Sequence, residues 1–219
     1  MNIHQLWVAD GLPNHPNRLL HSIDSITIHT TGNRNLTATA EAHARFQFNG
    51  GGNRQASWHY TVDQDEIWQS FRDNQMCWHT GTSKGNETSI GIEICVNSWE
   101  GFIEACNKSA WLTASLMEKY KLSLSQVLQH FDWSNKNCPR ELRSGEWGIN
   151  WEGFITMVQG HYKQNYNQNQ PSDWAVKAWS WGVSNNITDG TAPQGRPSRE
   201  QVIQLLFNYD KHAKKAPLR

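Results

Sequence analysis

Three observations in the sequence predict an α/β protein with a small helical appendage. Residues 25–29, 57–63 and 89–96 alternate polar and apolar side chains with the period of a strand. A breaker-free stretch at 37–48 and one with Leu112 and Leu116 four apart at 109–120 read as helices, with a further helix at 151–165. A polar, Asn/Gln-rich run then precedes a region with two further helical stretches and no strand pattern.

In chain order, residues 1–24 are irregular, broken by Gly11, Pro13 and Pro16. In Ser-Ile-Thr-Ile-His (25–29), Ile26 and Ile28 share one face while Ser25, Thr27 and His29 share the other, and Gly32-Asn33 ends the strand. The helix over 37–48 is entered at a threonine and stops at Asn49-Gly50-Gly51-Gly52, which reads as a flexible loop. The strand at 57–63 turns at Asp63-Gln64-Asp65-Glu66 into a short one around Ile67-Trp68-Gln69. The clearest strand is 89–96, with Ile90, Ile92, Ile94 and Val96 on one face and Gly91, Glu93 and Cys95 on the other. Leu112, Leu116 and Tyr120 mark the helix over 109–120, and a helix at 151–165 closes the domain. The predicted organisation is a main domain at 1–164, a linker at 165–171 and a small module at 172–219.

Composition narrows the function. Twenty basic residues balance twenty acidic ones, which argues against a nucleic-acid partner. No run of 18 apolar residues is present, so no membrane span is expected. The first residues lack a basic start followed by an apolar stretch, so no signal peptide is expected and the protein is placed in the cytoplasm. In such a reducing compartment Cys77, Cys95, Cys106 and Cys138 are expected as free thiols or metal ligands. Twelve tryptophans are divided between core positions and a groove that receives sugar or peptide.

His29, His130 and Cys138 have the chemistry of a zinc site, since two imidazoles and a thiolate leave a fourth position open for water. With ten histidines in the chain, such a pairing also arises by chance. Each residue has a plain alternative: a hydrogen-bonded strand end for His29, a surface loop for His130, a small buried apolar side chain for Cys138.

Five segments in order decide between these readings. They are Ile-His-Thr-Thr-Gly (28–32), Ser-Trp-His-Tyr-Thr-Val-Asp (57–63), Trp-His-Thr-Gly (78–81), Ser-Ile-Gly-Ile-Glu-Ile-Cys (89–95) and His-Phe-Asp-Trp-Ser-Asn-Lys-Asn-Cys-Pro (130–139). Over residues 20–163 the chain resembles the zinc amidases of phage endolysins and bacterial autolysins, which are related to the peptidoglycan recognition proteins. The resemblance implies a mixed central β-sheet flanked by helices, with Zn²⁺ held by His29, His130 and Cys138 at one end. It also implies hydrolysis of the amide between N-acetylmuramic acid and L-alanine in bacterial peptidoglycan. Glu93 is then the candidate base for the attacking water, and Lys136 the candidate cation for the developing oxyanion. A structural ion pair is the alternative for Glu93, and simple solvation that for Lys136. Some branches of the family carry a tyrosine where this chain has Trp58, and an indole N–H cannot accept a proton, so the burden shifts to Glu93. Trp58, His59 and His79 are expected to contact substrate, with orientation of a ligand or a structural part as alternatives for the two histidines. Asp132 is read as holding its loop, and Asp63 as serving the turn after it.

Residues 172–210 resemble one surface-layer-homology repeat, in Trp-Ala at a helix start, Asn-Ile-Thr-Asp-Gly-Thr, a Pro/Gly loop and Ser-Arg-Glu-Gln. That implies binding to cell-wall polysaccharide through Trp179, Trp181 and Arg199, with an oligomer as one way to strengthen a single weak repeat. The alternative places these tryptophans in a tiny core, and Trp174 is assigned there. The expected protein is an endolysin that waits in the host cytoplasm before reaching the wall; the alternative is a peptidoglycan-binding protein without activity.

Overall fold

The computed structural model describes residues 1–168, 171–191, 193–195 and 197–215. The chain divides into two compact units, Met1–Tyr162 and Lys163–Arg219.

The first unit is built on strands β1 (His4–Gln5), β2 (Ser25–Thr30), β3 (Tyr60–Val62), β4 (Ile67–Gln69), β5 (Ser89–Ile94) and β6 (Val127–Gln129). They form one sheet in the order β1-β4-β3-β5-β2-β6. Only the β3–β4 pair is antiparallel, so the sheet is mixed, as expected. The helices are α1 (Ala40–Phe48), α2 (Ser83–Thr88), α3 (Trp99–Tyr120), α4 (His130–Ser134), α5 (Arg140–Ser144) and α6 (Trp151–Gln168).

The predicted isoleucine row is the core. Ile26, Ile28, Ile90, Ile92, Ile94 and Val96 are fully buried and cluster with Phe102, Cys106, Ala110 and Leu112 of α3 and Phe154 and Val158 of α6. Burying each large aliphatic side chain contributes about 1.5–3 kcal/mol, so this face anchors the two neighbouring strands β2 and β5.

Several elements differ from the sequence reading. The helix expected at 109–120 begins ten residues earlier, at Trp99, with Ser98 as its N-cap accepting from the Gly101 N–H at 3.1 Å. Its first ten residues bury only Phe102, Ala105 and Cys106, a small apolar face interrupted by Gly101 and Asn107. The glycine run after α1 is a defined turn: Gly50, Gly51 and Gly52 all have positive φ (85°, 60° and 64°), which glycine adopts without cost. Residues 1–24 supply β1 at the sheet edge. The Asn/Gln-rich run is helical at 165–168, as part of α6, and residues 169–170 of the expected linker lie outside the described residues.

In the second unit, a 3-10 turn at Asp173–Ala175 leads into α7 (Val176–Ser184), and α8 (Arg199–Lys215) follows the Gly/Pro-rich loop. Trp174 is 88 % exposed, so it is not the core residue expected of it. It sits in the 3-10 turn ahead of α7. Residues 216–219 of the expected module lie outside the described residues. Among the described residues, no helix is long and apolar enough to cross a membrane.

Candidate metal centre and active site

The parallel register of three neighbouring strands assembles the site. On β2, His29 pairs with Glu93 of β5, and Ile28 pairs with Gln129, the last residue of β6. His130 follows at once, so Glu93, His29 and His130 stand in a row at the carboxyl ends of adjacent parallel strands. Ligands of open α/β sheets collect at such ends.

The loop after α4 brings in the third group. Asn135 takes the left-handed conformation (φ 60°) that ends α4, and the Phe131 N–H donates to the Cys138 carbonyl at 2.9 Å, folding the chain back on itself. Trp133 Nε1 donates to Thr27 Oγ1 at 2.9 Å and ties α4 to β2. The Arg143 guanidinium lies 3.6 Å from the centre of the Phe131 ring and donates to Asn137 Oδ1 at 2.9 Å.

His29 Nδ1 therefore lies 3.0 Å from His130 Nδ1 and 3.7 Å from Cys138 Sγ. One ligand atom from each of the three residues falls within 4.8 Å of the others, and all three side chains are buried. Burial holds His29 well below the ordinary imidazole range and lowers His130 to about 4; Lys136 contributes to both shifts. Two neutral imidazoles with lone pairs converging on a buried thiol fit a dication such as zinc. Burial, with help from the Glu93 carboxylate, pushes the Cys138 thiol up to about 12, and a coordinated dication would offset that cost by favouring the thiolate.

Glu93 is partly exposed, yet its Oε2 is sealed from solvent and has no hydrogen-bond partner. Burial raises its pKa to about 8; Glu141 adds to the rise and Lys136 opposes it. Lys136 is exposed, two residues before Cys138, and its charge acts on His29, His130, Glu93 and Cys138 alike. The structure thus brings five of the expected residues together: His29, Glu93, His130, Lys136 and Cys138.

Trp58 is half-buried, donates from Nε1 to Thr61 Oγ1 at 2.7 Å and lines a cleft of about 420 Å³ with Thr31, His43, Phe46 and Arg54. His59 and His79 are placed differently. His59 is fully buried, accepts from the Gly91 N–H at 2.9 Å and faces the Gln75 carbonyl at 2.8 Å. His79 is 8 % exposed and lies between His29 and the Ser89 carbonyl. Both nitrogens of each ring are engaged inside the protein: His79 meets His29, whereas His59 bonds the backbone at Gly91 and Gln75. Asp63 accepts from the N–H groups of Asp65 and Glu66 in the turn after it, and Asp132 from the Gln129 N–H, the local parts read for them, while Asp63 also accepts from the Ala40 N–H at the start of α1.

One residue was missed. Glu141 is fully buried three residues beyond Cys138, paired with Arg140 at 2.8 Å and Arg34 at 3.3 Å. Its main distant partner lies 107 residues away in sequence, a link that no local pattern reveals. In the second unit, Trp179 lines a pocket of about 390 Å³ with Ile187, Thr188, Asp189, Leu205 and Asn208. Trp181 is 47 % exposed beside His212, and Arg199 is exposed at the start of α8.

Comparison with known proteins gives this geometry its family. Residues 19–141, which span the whole site, match the N-acetylmuramoyl-L-alanine amidase family. The chain belongs to that family. The N-acetylmuramoyl-L-alanine amidase XlyA of Bacillus subtilis (strain 168) is 36% identical over 216 residues, which cover 94% of this chain and 68% of XlyA. CwlH, an N-acetylmuramoyl-L-alanine amidase of the same strain, is 38% identical over 136 residues, 61% of this chain and 52% of its own length. Among solved structures, the catalytic domain of XlyA superposes with a TM-score of 0.65 at 38% identity, covering 72% of this chain and 99% of that domain. PlyL superposes with a TM-score of 0.63 at 27% identity, over 72% of this chain and 97% of PlyL. This amidase is accordingly an enzyme, a peptidoglycan hydrolase with an α/β catalytic fold.

Proposed function

We propose that this amidase is a zinc enzyme of the endolysin kind, with His29, His130 and Cys138 as ligands, Glu93 as general base and Lys136 as the oxyanion's cation. The single observation that carries the reading is the convergence of three ligand atoms within 4.8 Å beside a carboxylate oxygen that has no partner. When bound, zinc lowers the pKa of water from ~15.7 toward ~7 and polarises the scissile carbonyl.

The chain's own residues supply the rest. Glu93 takes the proton of the attacking water on its carboxylate and delivers it to the nitrogen of the departing L-alanine, so the base becomes the acid. Burial favours the protonated carboxyl that the second half of the task needs, while Lys136 and a bound dication would favour the carboxylate that the first half needs. The Lys136 ammonium opposes negative charge as it builds on the carbonyl oxygen. Trp58 flanks the glycan or stem peptide in its cleft, while His59 and His79 support the site from behind. The second unit, through Trp179, Trp181 and Arg199, attaches the enzyme to wall polysaccharide. Its likeness to a surface-layer-homology repeat supports that role, and self-association of this unit would strengthen a single weak site. The likeness of the catalytic part to a solved endolysin of Bacillus subtilis, 38% identical with a TM-score of 0.65, supports production in the cytoplasm and action on the wall.

Mass spectrometry of purified peptidoglycan after digestion tests the bond. The expected products are glycan with free lactyl carboxyls and stem peptides with free N-terminal L-alanine. Fragments cut only within the stem peptide, or an undigested wall, would overturn the assignment.

A further inference from the structure

His79 adjoins the ligand His29, Gly91 lies against the His79 ring, and no proton step above runs through either. His79 Nε2 lies 3.2 Å from the Ser89 carbonyl oxygen, and its Nδ1 lies 3.0 Å from His29 Nε2. A carbonyl only accepts, so His79 Nε2 carries the hydrogen and the neutral ring has a bare lone pair at Nδ1. That lone pair can only accept, which puts the hydrogen of His29 on Nε2. His29 Nδ1 is thereby left bare, and Nδ1 is the atom that faces His130 Nδ1 and Cys138 Sγ. The chain of donors runs one way, from the ligand histidine through His79 to a backbone oxygen of β5.

The anchors of that chain are fixed. The N–H groups of His79 and Thr80 both donate to Asn86 Oδ1, at 3.0 and 2.9 Å. Ser89 Oγ meets Thr27 Oγ1, which in turn accepts from Trp133 of the helix that begins at His130. The ring also needs room. A Cβ at Gly91 would sit 2.8 Å from His79 Nδ1 and 3.0 Å from its Cγ, a clash with the ring itself. Gly91 lies inside β5, where glycine costs stability unless something approaches the backbone closely.

We infer that His79, seated over Gly91 and hydrogen-bonded to the Ser89 carbonyl, is a positioning residue that holds His29 in the tautomer and ring orientation presenting Nδ1 to the metal. The inference rests on the ligand assignment proposed above.

The test uses the full chain as wild type, His79→Leu, His79→Asn and Gly91→Ala. Zinc affinity is read by competition with a chromogenic chelator, the ligand field by the absorption spectrum of the Co²⁺-loaded protein, and folding by the melting of the metal-free protein. His79→Leu, which can neither accept nor donate, is expected to bind zinc about 10–100-fold more weakly, with an altered cobalt spectrum. His79→Asn, whose Oδ1 can accept from His29 Nε2–H, is expected to recover most of that affinity. Gly91→Ala removes no hydrogen-bonding side chain, yet is expected to weaken zinc by displacing His79. Wild-type zinc affinity and an unchanged cobalt spectrum in His79→Leu would overturn this inference alone. If His79→Leu fails to fold, Gly91→Ala decides, and wild-type zinc affinity there overturns the inference. A wild-type protein that binds no zinc would overturn the ligand assignment and this inference together.

Discussion

The two units of the amidase handle their apolar residues in opposite ways. In Met1–Tyr162, strands and helices seal a continuous core in which Ile26, Ile92, Phe102, Leu142 and Phe154 have no exposure at all. In Lys163–Arg219, among the described residues, only Gly182 is buried, while Trp174, Ile203, Leu206 and Phe207 are each more than half exposed. The difference matches the part proposed for each unit. Converging three ligand atoms to within 4.8 Å requires strands that cannot shift against one another, and only a sealed core enforces that. A surface that meets a polymer needs reach and aromatic area rather than a rigid cavity.

The sharpest break between the units is expected at the chemistry. Glu93→Gln should keep zinc and lose about 10²–10⁴-fold in turnover, measured on labelled peptidoglycan, while adhesion to wall fragments stays unchanged. Wild-type turnover in that variant would move the base elsewhere.

The next contrast is in stability. Phe154→Ala in the first unit should cost about 3–5 kcal/mol, whereas Ile203→Ala on α8, 65 % exposed, should stay within about 0.5 kcal/mol. Denaturant titration of both variants checks the pair, and equal costs would erase the comparison. Deleting residues 170–219 should leave hydrolysis of soluble fragments intact and weaken wall adhesion by about 10-fold or more in a sedimentation assay. Unchanged adhesion would count against a binding role for the second unit.

The smallest expected effect is a pH dependence confined to the first unit. Burial would raise the pKa of Asp73, but hydrogen bonds from Lys119, Tyr120 and Tyr60 outweigh it and hold the carboxyl below its ordinary value of 3.8. Its folded pKa is depressed, so its contribution is present above pH 3.8 and is lost as the pH falls through the lower folded value. Asp73→Asn should therefore flatten the acid limb of the stability profile and cost about 1 kcal/mol at neutral pH. An unchanged acid limb would remove Asp73 from that account.

What could be read from the sequence followed the length of each element. The alternation in β2 and β5 spans six residues each, enough to assign faces and to place His29 and Glu93 on the same side. β6 is as short as β3 and β4 but, unlike the run leading into β3, Val127-Leu128-Gln129 does not alternate, so the strand that delivers His130 went unread. The ligand set came from a family resemblance carried by scattered motifs. The register that aligns His29 with Glu93, and the Arg34–Glu141 pair, are long-range facts that appear only on folding. His79 shows the same limit: its role follows from a ring 50 residues away and from the missing Cβ of Gly91, neither visible in Trp-His-Thr-Gly. Trp174 erred the other way, because an apolar residue at a motif start does not guarantee that anything covers it.

X-ray absorption at the zinc edge of the purified, full-length protein tests the central claim most directly. The account predicts one zinc per chain with a single sulfur at about 2.3 Å and two imidazole nitrogens at about 2.0–2.1 Å, and loss of the sulfur shell together with the metal in Cys138→Ala. Zinc bound without sulfur, or retained undiminished by that variant, would contradict it.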